Sequence, residues 1–323
     1  MVSGSNDTVF RKRTLITRIA GVFYLCAGVV LILLGMLETR CFSLFSEGGR
    51  FHYEGFGFGS FMFGNIAAQV IAYCLTGAVL TFLGYGHLSL RRWAAKLACC
   101  LMRAWLLIGL PVIAVVFFLL LASKELTTGA AVIALAALAL SYFVLPWLVI
   151  RYFGGPKAGL FYEAADPGLR WADRIPARIV VISILYAFFI VGLQVLLFFK
   201  GIFPLFGSFV RGTGGAVLIA VTTLLFVLLI WGTLSRRLWA WRGACVLLGL
   251  LAVSAVLASL CTGYSALLSV LSFPSAEMRF LAGVPVQGWH LAVLSGIPLL
   301  AGLLAAATSR RCFKDPRRPA RNQ

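Results

Sequence analysis

Charged residues are scarce in this 323-residue sequence, where they make up 12% of the chain, compared with ~25% in soluble domains. Hydrophobic residues make up 61% and are arranged in long uncharged runs. A run of about 20 apolar residues is the length that an α-helix needs to cross a bilayer. The composition therefore excludes a soluble globular protein and predicts an all-α integral membrane protein.

Ionisable side chains are missing from the middle of every apolar run. Proton-coupled transporters, pumps and most intramembrane hydrolases need such a group within the membrane. Because an ionisable side chain is energetically costly there, its presence in a span indicates a functional role. The sequence also lacks a glycine-rich phosphate loop, a Ser/His/Asp order and a metal-binding helix motif. It therefore names no catalytic residue, no metal ligand and no cofactor, and it favours a non-enzymatic role.

The eight cysteines show no CxxC or Cys/His spacing, which argues against a structural zinc site. Most lie inside apolar runs, where free cysteine behaves as a small hydrophobic residue. Cys41 and Cys261 instead lie at predicted outer helix ends, where an oxidising compartment permits a disulfide. We treat this pair as a candidate disulfide.

Eight apolar segments are predicted to span the membrane as helices, because backbone polar groups in lipid must pair within their own segment. The predicted spans are 16–37, 66–85, 104–122, 130–150, 179–199, 214–231, 243–262 and 289–308.

Basic residues outnumber acidic ones by 28 to 10, for a net charge of +18. In a soluble protein this excess would suggest a nucleic-acid partner, but here the basic residues lie at the ends of the apolar runs. With eight spans, 22 of the 28 fall on the side of the termini. The positive-inside rule then places both termini in the cytoplasm, beside the anionic leaflet of the plasma membrane, with no role for nucleic acid. Arginine outnumbers lysine by 22 to 6, which favours a bacterial source.

A sequence motif occurs twice. Residues 86–99 read GHLSLRRWAAKLAC and residues 232–245 read GTLSRRLWAWRGAC, so that Gly, Leu-Ser, Arg, Trp, Ala, Lys/Arg, Ala and Cys align without a gap. A second match, R-x-F-x-x-P-K/R, follows the fourth and the eighth span at Arg151 and Arg311. These matches predict two tandem repeats of four helices, and the even number makes the repeats parallel.

The predicted organisation has five parts. A polar tail (1–10) precedes the first repeat (11–157), a cytoplasmic interfacial linker (158–174) leads to the second repeat (175–317), and a polar tail (318–323) follows.

Two outer loops, 38–65 and 263–288, break the symmetry between the repeats. The segment 264–273 in the second loop is apolar but too short to span, which predicts a re-entrant or surface-lying piece. Because the repeats differ most in these loops, we expect any specific function to lie there.

Arg92, Lys96 and Arg103 fall on one stripe of a helix at 100° per residue. Together with Arg237 and Arg242 of the second copy, they are the candidate contacts to a lipid headgroup or another anion. The second copy does not reproduce the stripe. The alternative is that these side chains are anchors that extend towards the interface.

Two functions remain open from the sequence. The first is a non-enzymatic scaffold or accessory subunit of a membrane complex, with a protein partner or a homo-oligomer. The alternative is a facilitative pathway for a neutral or lipid-like substrate between the two repeats.

Overall fold

The computed structural model is almost entirely helical and describes residues 3–122, 128–168 and 170–313. Its helices are α1 (Ser3–Phe45), α2 (Phe61–Leu88), α3 (Arg92–Ala122), α4 (Thr128–Ala139), a π-helical turn (Leu140–Val144), α5 (Leu145–Phe153), α6 (Pro156–Ala165), α7 (Trp171–Arg174), α8 (Ala177–Phe198), α9 (Gly212–Leu234), α10 (Leu238–Leu271), α11 (Ser275–Ala282) and α12 (Gly288–Thr308). A hairpin of two short strands, β1 (Phe203–Leu205) and β2 (Ser208–Val210), joins α8 to α9.

Seven helices in the described part of the chain are long and apolar enough to cross a membrane. They are Phe10–Phe45, Phe61–Leu88, Gly129–Phe153, Ala177–Phe198, Gly212–Leu234, Leu238–Leu271 and Gly288–Thr308. The structure thus confirms a multi-pass, all-α membrane protein. The predicted span 104–122 lies inside α3, which is not among the seven, so the eighth span stays a prediction.

Two helices extend beyond the predicted segments. Residues 3–10, expected to be a polar tail, belong to α1. The apolar piece 264–273 is mostly the last part of α10, which breaks at Gly263 (φ 71°) and then resumes. A residue with a side chain would be strained at this left-handed φ, and glycine is not. The predicted tail 318–323 lies outside the described residues.

The chain forms two compact units, and their bounds differ from those of the predicted repeats. The first unit contains residues 1–52, 65–102 and 146–175, so it includes all of α1, most of α2 and the linker helices α6 and α7. The second unit contains residues 53–64, 103–145 and 176–323. In the second unit α10 packs against α12 and α9, and α8 packs against α9 and α12.

The two motif copies adopt the same turn, each within its own unit. In the first copy the Arg91 amide donates to the Gly86 carbonyl at 2.8 Å, and Leu90 has a positive φ of 51°. In the second copy the Arg237 amide donates to the Gly232 carbonyl at 2.9 Å, and Arg236 has a φ of 56°.

Each motif glycine is buried against a tryptophan and an alanine of its own motif. A Cβ added to Gly86 would lie 2.6 Å from the Cβ of Ala94 and 2.7 Å from the Trp93 ring. A Cβ on Gly232 would lie 2.6 Å from the Trp239 ring and 2.7 Å from the Cβ of Ala240. The glycines are therefore required by a close approach of the helices on both sides of the turn.

Candidate functional site

A buried carboxylate joins the two outer loops. Glu277 of α11 is 4% exposed, and its two oxygens accept hydrogen bonds from the backbone amides of Phe61 (2.8 Å) and Met62 (2.9 Å). These amides belong to the first turn of α2, where backbone N–H groups have no partner inside the helix. A carboxylate is favoured there by the helix dipole as well as by the hydrogen bonds. Burial, and then the charge of Glu277, raise the pKa of the nearby Tyr53.

Two cationic side chains bind the C-terminus of α10. The Lys200 ammonium donates to the carbonyls of Leu271 (2.6 Å) and Ser272 (2.8 Å) at the C-terminus of α10. The Arg211 guanidinium donates to the Val270 carbonyl and, at 3.2 Å, to the Ser272 hydroxyl. Because the last carbonyls of a helix are unpaired and carry partial negative charge, both cations stabilise this end.

Aromatic rings fill the space between these polar contacts. The rings of Phe61, Phe199 and Phe273 lie 6.0–6.4 Å apart in all three pairs. At Gly55 (φ 81°) a Cβ would approach the Pro274 ring to 2.7 Å, so glycine permits both the turn and the contact. We call segments 53–64, 199–211 and 268–281 the braced loops.

Three phenylalanines of the braced loops remain exposed, although they lie outside the seven apolar spans. Phe58 is 66% exposed, Phe206 is 56% exposed and Phe280 is 71% exposed. Phe206 and Gly207 both have positive φ, as in the type I′ turns that close two-residue hairpins. Phenylalanine is enriched at protein–protein interfaces, which makes these three residues candidate contacts for a partner.

Lys96, one of the predicted headgroup residues, joins the start of α3 to the linker by hydrogen bonds. The Lys96 ammonium donates to three backbone carbonyls at the end of α7, those of Ala172 (2.7 Å), Asp173 (3.1 Å) and Ile175 (2.5 Å). Burial lowers the pKa of Lys96, and the Asp173 carboxylate acts in the opposite direction. All three ammonium hydrogens therefore have partners within the protein.

The other predicted headgroup residues divide into two groups. Arg92 pairs with Glu163 of the linker at 3.0 Å, next to an Arg91–Asp166 pair at 3.4 Å. Arg103, Arg237 and Arg242 are exposed and form no ion pair within the described residues. A headgroup or anion contact for these exposed arginines stays a prediction.

A buried histidine next to the linker was not singled out from the sequence. His87, at the end of α2, is 0% exposed, and its Nδ1 lies 3.0 Å from the Tyr162 hydroxyl of α6. Its ring stacks on Tyr24 at 5.5 Å and packs against Phe153 at 4.6 Å. Burial raises the pKa of Tyr162, so its hydroxyl stays protonated. A lone histidine at a helix end gives no sequence signal for such a cluster.

The second unit has a partly open apolar cavity of about 470 Å³. Its walls come from α8, α9, α10 and α12, and one side is formed by Ile202, Phe203, Pro204 and Phe209. The Ser254 hydroxyl holds the hairpin in place, because it accepts from the Phe206 amide (3.0 Å) and donates to the Pro204 carbonyl (2.8 Å). The cavity is within the size range of ligand pockets, ~300–1,000 Å³.

The candidate disulfide is not formed in this structure. Cys41 and Cys261 carry free thiols and belong to different units. Among the described residues, no group of three or more His, Cys, Asp or Glu side chains is placed to hold a metal ion.

Comparison with protein-family models, with curated proteins and with solved structures finds no match to this chain.

Proposed function

We propose that this multi-pass membrane protein is a non-enzymatic scaffold or accessory subunit, and that its protein partner binds the braced loops. The observation that carries the proposal is the exposure of Phe58, Phe206 and Phe280 on loops that hydrogen bonds of Glu277, Lys200 and Ser254 hold in place. Aromatic anchors contribute most of the energy at many interfaces. Because Glu277 and Lys200 already fix the loops, less conformational entropy is lost when a partner binds.

The partner is tested by purification from native membranes in a mild detergent. We expect the wild-type protein to carry a stoichiometric protein partner, and the triple variant Phe58→Ser/Phe206→Ser/Phe280→Ser to lose it. The control is Trp171→Ser, which replaces an aromatic residue of the linker that is 68% exposed. A wild-type protein that purifies alone, or a triple variant that keeps the same partner, would contradict the proposal.

The proposed architecture is eight spans in two tandem, parallel four-helix repeats with both termini in the cytoplasm. It is supported by the alignment of residues 86–99 with 232–245, by the matching turn geometry of the two copies, and by the placement of the basic residues.

Single cysteines in a cysteine-free background test this topology. Ser89 and Ser235 occupy equivalent positions in the two turns, whereas Ser208 lies in the hairpin, and all three are exposed. With a membrane-impermeant maleimide on intact cells, we expect Ser208→Cys to react at once and Ser89→Cys and Ser235→Cys to react only after lysis. Labelling of the two turns from opposite sides would exclude parallel repeats.

A facilitative pathway for a neutral or lipid-like substrate between the two repeats is the second candidate function. The apolar cavity of the second unit favours the lipid-like class of substrate. Substrate flux into vesicles reconstituted with the purified protein is the measurement that separates a pathway from a scaffold.

A further inference from the structure

The cavity of the second unit is open on one side, where Phe188 and Leu294 of its wall are 42% and 41% exposed. Protein interiors are packed to the density of organic crystals, with few voids larger than a water molecule. Other glycines of this bundle follow that rule, because a Cβ on Gly302 would meet the Phe189 ring at 3.0 Å and one on Gly296 would meet Val256 at 2.6 Å. Gly192 lies on the open side of the cavity, since it is exposed and a Cβ added there would meet no atom within 4 Å.

The cavity wall carries no charged side chain, and most of it is formed by Leu, Phe, Ile and Pro. An apolar wall of this kind favours contact with apolar molecules over contact with water. An anionic lipid headgroup would lose its hydration there without gaining a cation, which is costly. The body of the ligand is therefore uncharged and apolar.

Polar groups on the wall select a hydrogen-bonding atom. The side chains of Ser259 and Ser295 both line the cavity; Ser259 is 3% exposed, and the Ser295 hydroxyl donates to the Leu291 carbonyl at 2.7 Å. Pro298 also lines the cavity, and because proline has no N–H it cannot donate to the carbonyl of Leu294 one turn earlier. A ligand hydroxyl can donate to the Leu294 carbonyl or exchange a hydrogen bond with Ser259.

We infer that this cavity binds one uncharged, lipid-like molecule with a long apolar body and a single hydroxyl group. The inference does not depend on the scaffold role, because the cavity walls and the exposed phenylalanines are different residues. It also does not require the ligand to cross the membrane.

The test uses three photoreactive probes of equal chain length, a primary alcohol, an alkane and a carboxylate, added to the full-length protein in lipid nanodiscs. We expect the alcohol to label α8, α10 or α12 peptides that line the cavity, and to be competed by the unmodified long-chain alcohol. The carboxylate should label these peptides least. Equal labelling by all three probes, or labelling only outside the cavity, would overturn the inference.

Two variants sharpen the test. Gly192→Leu should fill the cavity and abolish the labelling, while Gly249→Leu on α10, where an added Cβ also meets nothing within 4 Å, should leave it intact. Ser259→Ala keeps the cavity but should reduce the preference for alcohol over alkane by roughly two- to tenfold, the worth of one hydrogen bond. If Gly192→Leu does not fold, the Ser259→Ala comparison decides, and an unchanged alcohol preference counts against the inference.

Native mass spectrometry of the purified protein separates two sources of the ligand. A bound lipid-like alcohol that survives purification identifies a resident membrane component. A protein that arrives empty but binds the added alcohol identifies a ligand that exchanges.

Discussion

Replacing either motif glycine by alanine is expected to destabilise the protein by about the same amount, ~1–3 kcal/mol, because each Cβ overpacks a filled site. Gly86→Ala would push its Cβ to 2.6 Å from Ala94, and Gly232→Ala would push its Cβ to 2.6 Å from the Trp239 ring. Real Cβ atoms do not come this close, so α2 and α9 would each have to move away from the helix that follows. Alanine's better helix propensity, up to ~1 kcal/mol, offsets only part of this cost.

The matched control is Gly249→Ala. Gly249 lies inside α10, and an added Cβ there meets no atom within 4 Å. It should therefore gain about 0.5–1 kcal/mol from helix propensity alone. Unfolding of the three variants can be compared by denaturant titration or by melting in the same detergent.

The comparison of the two copies decides what the motif means. Similar losses at Gly86 and Gly232, together with no loss at Gly249, would agree with two equivalent turns. A loss of stability at only one motif glycine would show that the residues common to the two copies do not have the same structural role. A loss at Gly249 as large as the others would show that glycine is required for reasons other than the close approach.

The helices were the part of this fold that the sequence could predict. Long apolar runs mark spans because lipid leaves backbone polar groups no partner outside the helix. Six of the eight predicted runs lie within one helix, 179–199 ends one residue beyond α8, and 130–150 crosses α4, the π-helical turn and α5. Seven helices of the described residues have the length and composition of spans. Helix ends were less predictable, as α1 and α10 show, because polar residues near a membrane surface can continue a helix or end it.

Contacts made by charged residues could not be predicted. From the sequence, Lys96 was a candidate for a lipid headgroup, because periodicity places it on a basic stripe but does not show how the linker folds. In the structure its ammonium is occupied by three linker carbonyls. The contact between Glu277 and Phe61 joins residues 216 positions apart, and no local pattern in either segment indicates the other.

The outer loops were singled out only because the repeats differ there. That argument did not indicate that 53–64 and 268–281 contact each other, as they do in the structure. It did not indicate that Glu277, Lys200 and Arg211 have structural roles at helix ends. A carboxylate at a helix N-terminus and cations at a helix C-terminus follow from the helix dipole, but only the fold brings them together.

The Glu277 carboxylate is expected to be the most sensitive single position of the braced loops. Glu277→Ala would leave the amides of Phe61 and Met62 without an acceptor in a site where the glutamate is 4% exposed. Each buried amide that loses its partner costs ~1–3 kcal/mol. We therefore expect Glu277→Ala to lower the stability by about 3 kcal/mol and to expose the first outer loop to protease cleavage between residues 46 and 60.

Glu277→Gln should have an intermediate effect on stability. The side-chain oxygen of glutamine can replace one of the two carboxylate acceptors, but the side-chain NH₂ group is a donor and would face the second backbone N–H, which is also a donor. The control is Glu54→Ala, which removes an exposed carboxylate of the first outer loop and should change the stability by less than ~0.5 kcal/mol. Melting temperature in detergent and limited proteolysis measure the two consequences separately. If Glu277→Ala resembles Glu54→Ala in both, the two outer loops are held together by their aromatic contacts alone, and the proposed partner surface does not depend on the buried charge.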